Sequence, residues 1–214
     1  MYPKLVDTIG QFQVDAAQIR ERKAQLEPLI AYIQQKYDED QEININFICT
    51  HNSRRSHLAQ IWAQTAASFY RIKNVHCYSG GTEETALYDK VVFTLREQGF
   101  QFLQLAAGNN PIYAIKYDDN SAPLIGFSKK YDHPYNPLSH FAAVMTCSQA
   151  DGGCPYIAGA EKRIPITFED PKISDDTPDQ DKVYAKRSLE IGQDMCYVFS
   201  QIHKKNEAAN IKIS

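Results

Sequence analysis

No stretch of this 214-residue chain approaches the ~18 consecutive apolar residues that span a bilayer, and Met1 onward lacks the basic, apolar and small-residue succession of a signal peptide. A cytoplasmic protein is expected. Excess charge of either sign is also missing: the formal net charge is -3 and the sequence pI about 6.1. Nothing in that balance favours nucleic acid or an anionic membrane surface, so any anion must be held by a local site. Internal repeats and low-complexity tracts are absent. The five cysteines are odd in number and spread over a mid-sized chain, which argues against a secreted disulfide framework and for thiols kept available for chemistry. With 43% apolar and 23% charged residues, the chain suits one α/β domain over residues 1–214.

What is present is an alternation of helical and strand patterns. Residues 4–38 place Leu26, Leu29, Ile30 and Ile33 at helical spacing, with Pro28 as the one interruption, and predict an N-terminal extension over about 1–40 of one or two amphipathic helices. Ile43, Ile45, Phe47 and Ile48 form a β-favouring run that ends on Cys49. A helix follows over 53–69, then a strand from Val75 to Tyr78, which makes a right-handed parallel βαβ unit. A further helix is expected over 83–98, stopped by Gly99, and an apolar strand, Ala142 to Met145, again leads to a thiol, Cys147. Two β-rich runs within 110–131 flank the turn formers Asp118, Asp119, Asn120 and Ser121, and predict a hairpin insertion. Residues 182–203 close the chain as a helix. The architecture this implies is an α/β three-layer sandwich with a central parallel sheet.

The segment Ile48 to Ser56 sets Cys49 at a strand end, Arg55 six residues later, then Ser56 and a helix. A loop between a strand's carboxyl end and a helix N-terminus turns successive N–H groups inward, and with the helix dipole these make a seat for a tetrahedral oxyanion. Thr50, His51, Asn52, Ser53, Arg54, Arg55 and Ser56 are the candidate oxyanion-binding loop, with Arg55 adding a planar, bidentate donor. The same positive surroundings stabilise a thiolate, so Cys49 is expected to be ionised at neutral pH and to act as a nucleophile on a bound phosphate or arsenate. The plainer reading is a small buried hydrophobe at a strand end with Arg55 solvated. Asp170 precedes Pro171, which forces an extended conformation on it and fixes its direction, as suits a proton donor to a leaving oxygen. It is otherwise an ordinary turn aspartate, and Glu169, Asp175 and Asp176 stand close enough to be confused with it.

The runs Cys49 to Ser56, Ser79 to Glu83 and Asp170–Pro171 together resemble, in order, the low-molecular-weight protein tyrosine phosphatase superfamily over about residues 43–205. The resemblance implies that Cys49 is the nucleophile, Arg55 the anion binder and Asp170 the general acid, with Asn52 and Ser56 supporting the loop and the thiolate. Met145 to Pro155 places Cys147 and Cys154 seven positions apart, as in the thioredoxin-coupled arsenate reductases of the same fold. It implies arsenate or phosphate as ligand and thioredoxin or a similar dithiol as reductant. The order the resemblance implies is that Cys49 attacks arsenate with Asp170 assisting departure of an oxygen, Cys147 attacks Cys49 as arsenite leaves, and Cys154 draws the disulfide into its own loop, where Gly152 and Gly153 ease the rearrangement. Phosphoester hydrolysis needs no thiol beyond the nucleophile, whereas As(V) to As(III) takes two electrons that a dithiol can supply. Phosphatase activity is the alternative, and a non-catalytic anion or redox sensor a third reading.

The pattern also departs from the family. His51 stands where glycine is usual, Arg54 where cysteine is common, and Lys172 where the phosphatases present an aromatic, which weakens the case for phosphotyrosine. The Cys147–Cys154 pair read as a metal site lacks further Cys or His at zinc-like spacing, so no metal and no cofactor are called for. Cys77, Cys196 and Trp62 read as core residues, while His57, His76 and His140 remain unassigned.

Overall fold

The structure is a computed structural model that describes residues 1–12, 16–153 and 156–204. Its frame is a four-stranded parallel sheet of β1 (Ile43–Cys49), β2 (Val75–Gly81), β6 (Phe141–Met145) and β7 (Ala160–Pro165), in the order β2-β1-β6-β7. The chain winds outward from β1 to β2 and then crosses to the other side for β6 and β7. The order therefore reverses between β1 and β6, and the crevice beyond their carboxyl ends is where an open α/β sheet takes its ligands. Both strands are buried almost throughout; β6 reads accordingly as an unbroken apolar run, whereas β1 carries Asn44 and the buried Asn46 between its apolar residues.

Ile43, Ile45 and Phe47 of β1 join Ala142 and Val144 of β6 in the larger core. That face is covered by α2 (Ala16–Asp38), α3 (Arg55–Phe69) and α6 (Gln180–Ser200). Helices α3 and α6 meet at Trp62, which is wholly buried, donates from its indole to Ser188 Oγ at 2.9 Å and stands edge-on to Phe100. Gly192 allows this approach, because a Cβ there would lie 2.8 Å from the Trp62 ring. On the sheet's other face Ile48, Ala143 and Met145 pack with Ala150 of α5 (Ser148–Gly153) and with Ile157. The irregular segment 127–140 lies against this face too, where Asn136 donates to Ser79 O and Asn46 to Tyr131 O.

The N-terminal residues form α1 (Pro3–Gly10) and the single long helix α2. Pro28 does not break α2, because it faces solvent, where water can satisfy the carbonyl its missing N–H abandons. Leu26, Leu29 and Ile33 beside it are fully buried, so the extension is built into the core. The expected hairpin is β4 (Ile112–Lys116) against β5 (Leu124–Gly126), and β3 (Gln101–Ala106), for which the sequence pattern predicts no element, pairs beside β4. Helix α4 (Asp89–Glu97) begins six residues later than expected. Residues 83–88 instead hold the loop after β1: Glu83 N donates to Thr50 O, Thr85 Oγ1 to His51 O and Tyr88 N to Ser53 O. No helix among the described residues is long and apolar enough to cross a membrane.

Candidate functional site

The loop of residues 50–54 joins the carboxyl end of β1 to the N-terminus of α3, at the point where the sheet order reverses. Its carbonyls are tied outward. Cys49 O accepts from Thr82 N at 3.1 Å, Thr50 O from Glu83 N at 2.8 Å, His51 O from Ser128 Oγ at 2.9 Å and Ser53 O from Tyr88 N at 3.1 Å. With those carbonyls engaged by neighbouring segments, the loop sits at the positive end of a 15-residue helix, the setting in which backbone N–H groups can face an anion. Asn52 takes the left-handed conformation, φ 44°, that lets the turn close, and its Oδ1 accepts from Lys129 N at 2.9 Å.

Cys49 is 3% exposed, and its Sγ lies 3.1 Å from Ser56 Oγ. Asn52 Nδ2 donates to that hydroxyl at 2.9 Å, so the hydroxyl hydrogen is free to point at the sulfur and stabilise negative charge there. Arg55, itself buried, donates to Phe168 O at 3.0 Å and to Asp170 Oδ2 at 2.5 Å. Asp170 is extended (φ -76°, ψ 119°), as Pro171 requires, and its Oδ1 accepts from Lys172 N at 3.1 Å. Arg55, Asp170, Phe168 and Ile173 line a cleft of about 570 Å³ together with Ser148 and Gln149 at the start of α5. The Arg55 fork that an anion in this loop would need is thus already engaged by the Asp170 carboxylate.

Arg54 points away from Arg55. It donates to Tyr184 Oη and Asp175 Oδ2, both at 2.6 Å, and lies over the Tyr88 ring. Burial opposes ionisation of Asp175, but hydrogen bonds from Tyr184, Gln180 and Arg54 outweigh it and hold the carboxyl below the usual range. Burial pushes Tyr184 up. Asp175, which by sequence alone could be confused with Asp170, is thus the partner of Arg54, while Asp170 faces the cleft.

Cys147 follows β6 as Cys49 ends β1, on neighbouring parallel strands paired Ile48 to Met145. Its Sγ lies 3.5 Å from Thr50 Oγ1 and accepts from Ala150 N at 3.3 Å, and it is 1% exposed. Cys154 lies outside the described residues. Among the described residues Cys49, Cys77, Cys147 and Cys196 are free thiols, and no group of three His, Cys, Asp or Glu is placed to hold a metal ion. Cys77 and Cys196 sit in the core, where burial pushes both thiols up, Cys196 to about 12.

Three residues around the loop have no role assigned by the sequence, although Gly81 falls in the run Ser79 to Glu83. Gly81, level with Cys49 across the β1–β2 pair, runs so near the loop that a Cβ would lie 2.7 Å from Asn52 N and 2.7 Å from Thr50 O. Gly81→Ala is therefore expected to displace the loop and reduce turnover about 10²-fold, with far-ultraviolet circular dichroism unchanged. Wild-type turnover in that variant would show that the loop tolerates the shift. Lys129 is fully buried, and burial pushes its amine down to about 7. His57, wholly buried, is held at about 3 by burial and then by the charge of Lys129, with Nδ1 3.2 Å from Ser79 Oγ. It is built as a neutral core histidine.

The geometry defines an α/β protein with a buried thiol at the base of a strand–loop–helix turn. No family model and no curated protein matches the chain. Solved structures to which it is similar are low-molecular-weight phosphatases and arsenate reductases. A low-molecular-weight phosphotyrosine phosphatase from Vibrio cholerae O395 is 13% identical, covering 74% of this chain and 94% of that one at a TM-score of 0.49. An arsenate reductase from Archaeoglobus fulgidus is 17% identical, covering 74% and 100%, TM-score 0.48. A low-molecular-weight protein tyrosine phosphatase from T. tengcongensis is 16% identical, covering 75% and 100%, TM-score 0.48. At such identities a shared course of the backbone says nothing about which reaction a chain performs.

Proposed function

We propose that the protein reduces arsenate to arsenite in the cytoplasm, working as a single domain with Cys49 as nucleophile and Cys147 and Cys154 as the thiols that carry the electrons. The observation that supports this over simple hydrolysis is the second buried thiol at the rim of the loop, Cys147 Sγ 3.5 Å from Thr50 Oγ1. The Cys49 thiolate forms an S–As bond to arsenate held by the loop N–H groups and Arg55, and an As–O bond breaks as Asp170 gives its proton to the departing oxygen. Cys147, as thiolate, then attacks Cys49 Sγ. An S–S bond forms, the electron pair of the S–As bond stays on arsenic, and arsenite leaves. Cys154 attacks Cys147, freeing the Cys49 thiolate, and a small dithiol protein of the thioredoxin kind reduces the Cys147–Cys154 disulfide.

The second reading, hydrolysis of phosphomonoesters through a phosphocysteine, is favoured by the cleft of about 570 Å³ beside Asp170, whose Phe168 and Ile173 suit an organic leaving group. Incubation of the protein with arsenate and thioredoxin, thioredoxin reductase and NADPH separates the two. The expected result is stoichiometric arsenite and NADPH consumption, with slow p-nitrophenyl phosphate hydrolysis. Rapid hydrolysis without arsenite would transfer the assignment to the phosphatase reading.

A further inference from the structure

The segment 167–170, which carries the Asp170 carboxyl into the cleft, is gripped by arginines from three helices. Arg55 of α3 holds Phe168 O and Asp170, and Arg187 of α6 reaches Glu169 Oε2 at 3.2 Å. The third is Arg22 of α2, far from the loop in sequence. Its Nη1 donates to Thr167 O at 3.0 Å, and its guanidinium lies 4.7 Å from the centre of the Phe168 ring. Its Nε and Nη2 both bond Asp194 Oδ2 of α6, at 3.0 and 2.7 Å. Asp194 thus fixes the plane of Arg22, and Arg22 fixes both the backbone and the side chain of the two residues before Glu169 and Asp170. A rigid, planar guanidinium can satisfy a carbonyl, stack on a ring and keep an ion pair at once, which an ammonium point charge does not.

We propose that Arg22 is a positioning residue for the reaction: through Thr167 and Phe168 it sets the direction in which Asp170 presents its proton. This rests on the reading of Asp170 as the general acid. It also gives the N-terminal extension a catalytic duty beyond its share of the core. Arg22 touches no reacting atom and acts only through the loop it holds.

The test uses phosphoesters that differ in their need for a proton. Phenyl phosphate releases a poor leaving group that depends on the acid, and 2,4-dinitrophenyl phosphate releases one that departs without it. Arg22→Met is expected to lower kcat for phenyl phosphate roughly 10- to 100-fold, a part of the 10²- to 10⁴-fold a placed acid contributes, and to change dinitrophenyl phosphate hydrolysis by less than about threefold. Asp194→Asn, which keeps the shape but loosens the hold on Arg22, should show the same selectivity to a smaller extent, and Arg22→Lys should restore little. Added to Asp170→Asn, Arg22→Met should cost nothing further on phenyl phosphate, because both act through one carboxyl. Equal losses on both substrates, or losses that multiply in the double variant, would overturn the proposal. Backbone amide exchange over 167–170 reads the positioning without turnover. If the wild type proves inactive on every substrate, the function reading fails, and unchanged exchange in Arg22→Met then rejects the positioning claim by itself.

Discussion

Cys49→Ser is expected to abolish arsenite production and phosphoester hydrolysis together, by roughly 10⁴-fold or more, whereas Cys147→Ser should remove only the first. A hydroxyl at position 49 has no cationic seat strong enough to ionise it, so the step that splits the reaction in two is lost and only binding remains. Position 147 is different. Serine there keeps a hydrogen-bonding atom beside Thr50 Oγ1 and Ala150 N, so the loop stays in place. The Cys49–arsenic adduct then lacks the Cys147 thiolate that would attack its sulfur, and it returns to arsenate by hydrolysis with no electron transferred. Arsenite should fall at least about 10³-fold while p-nitrophenyl phosphate hydrolysis stays within a few-fold, since that path needs one thiol only. Cys154→Ser should give a third signature: one arsenite per chain, after which a Cys49–Cys147 disulfide accumulates and is seen in non-reduced peptide maps. Arsenate reduction by Cys147→Ser at the wild-type rate would end the two-thiol scheme.

How far such a site can be read from the chain depends on whether its parts are near in sequence. Cys49, Asn52, Arg55 and Ser56 sit within one strand–loop–helix turn, so local pattern points to Cys49 and Arg55 and the resemblance adds Asn52 and Ser56, and the structure brings them within hydrogen-bonding reach of one another or of the cleft. The parallel sheet was legible for a similar reason: β6 is buried on both faces and reads as a continuous apolar run, and β1 shows a β-favouring run of Ile43, Ile45, Phe47 and Ile48. What was not legible is set by long-range closure. Ser128 and Lys129 meet the loop only because the segment after β5 folds back over it, and no periodicity announces that. The late start of α4 has the same origin, since residues 83–88 give up helical bonding to anchor the loop's carbonyls. Strand β3 escaped because it is mostly solvent-exposed and so shows no buried face to detect. Arg22 lies 145 residues before the carbonyl it holds, and a surface arginine is the default reading of any such residue on an amphipathic helix.

Replacing Lys129 by methionine should make the protein more stable, by about 2–4 kcal/mol at pH 7, or roughly 5–15 °C in Tm. The amine is fully buried. Its neighbours are Phe127 O at 3.3 Å and the rings of Phe127 and Tyr135 at 4.5 and 5.4 Å, and among the described residues no carboxylate forms an ion pair with it. Burial pushes it from 10.5 down to about 7. The sign follows from which state holds the proton. Above pH 10.5 the amine is neutral folded and unfolded, and the charge costs nothing. Between 10.5 and 7 the unfolded chain keeps a proton that the folded chain releases, so stability falls as the pH is lowered across this window. Below 7 both states are protonated and the whole cost, up to roughly 5 kcal/mol, remains. Wild type should therefore gain stability from pH 7 to 10.5 relative to Lys129→Met, whose difference curve removes the titration of every other group. Methionine matches the length of the lysine stem and fits between the two rings, while the backbone N–H that holds Asn52 Oδ1 is retained. A flat difference curve, with the methionine variant the less stable, would mean that the rings and the Phe127 carbonyl hold Lys129 fully charged, and that the cation under the loop stabilises the fold.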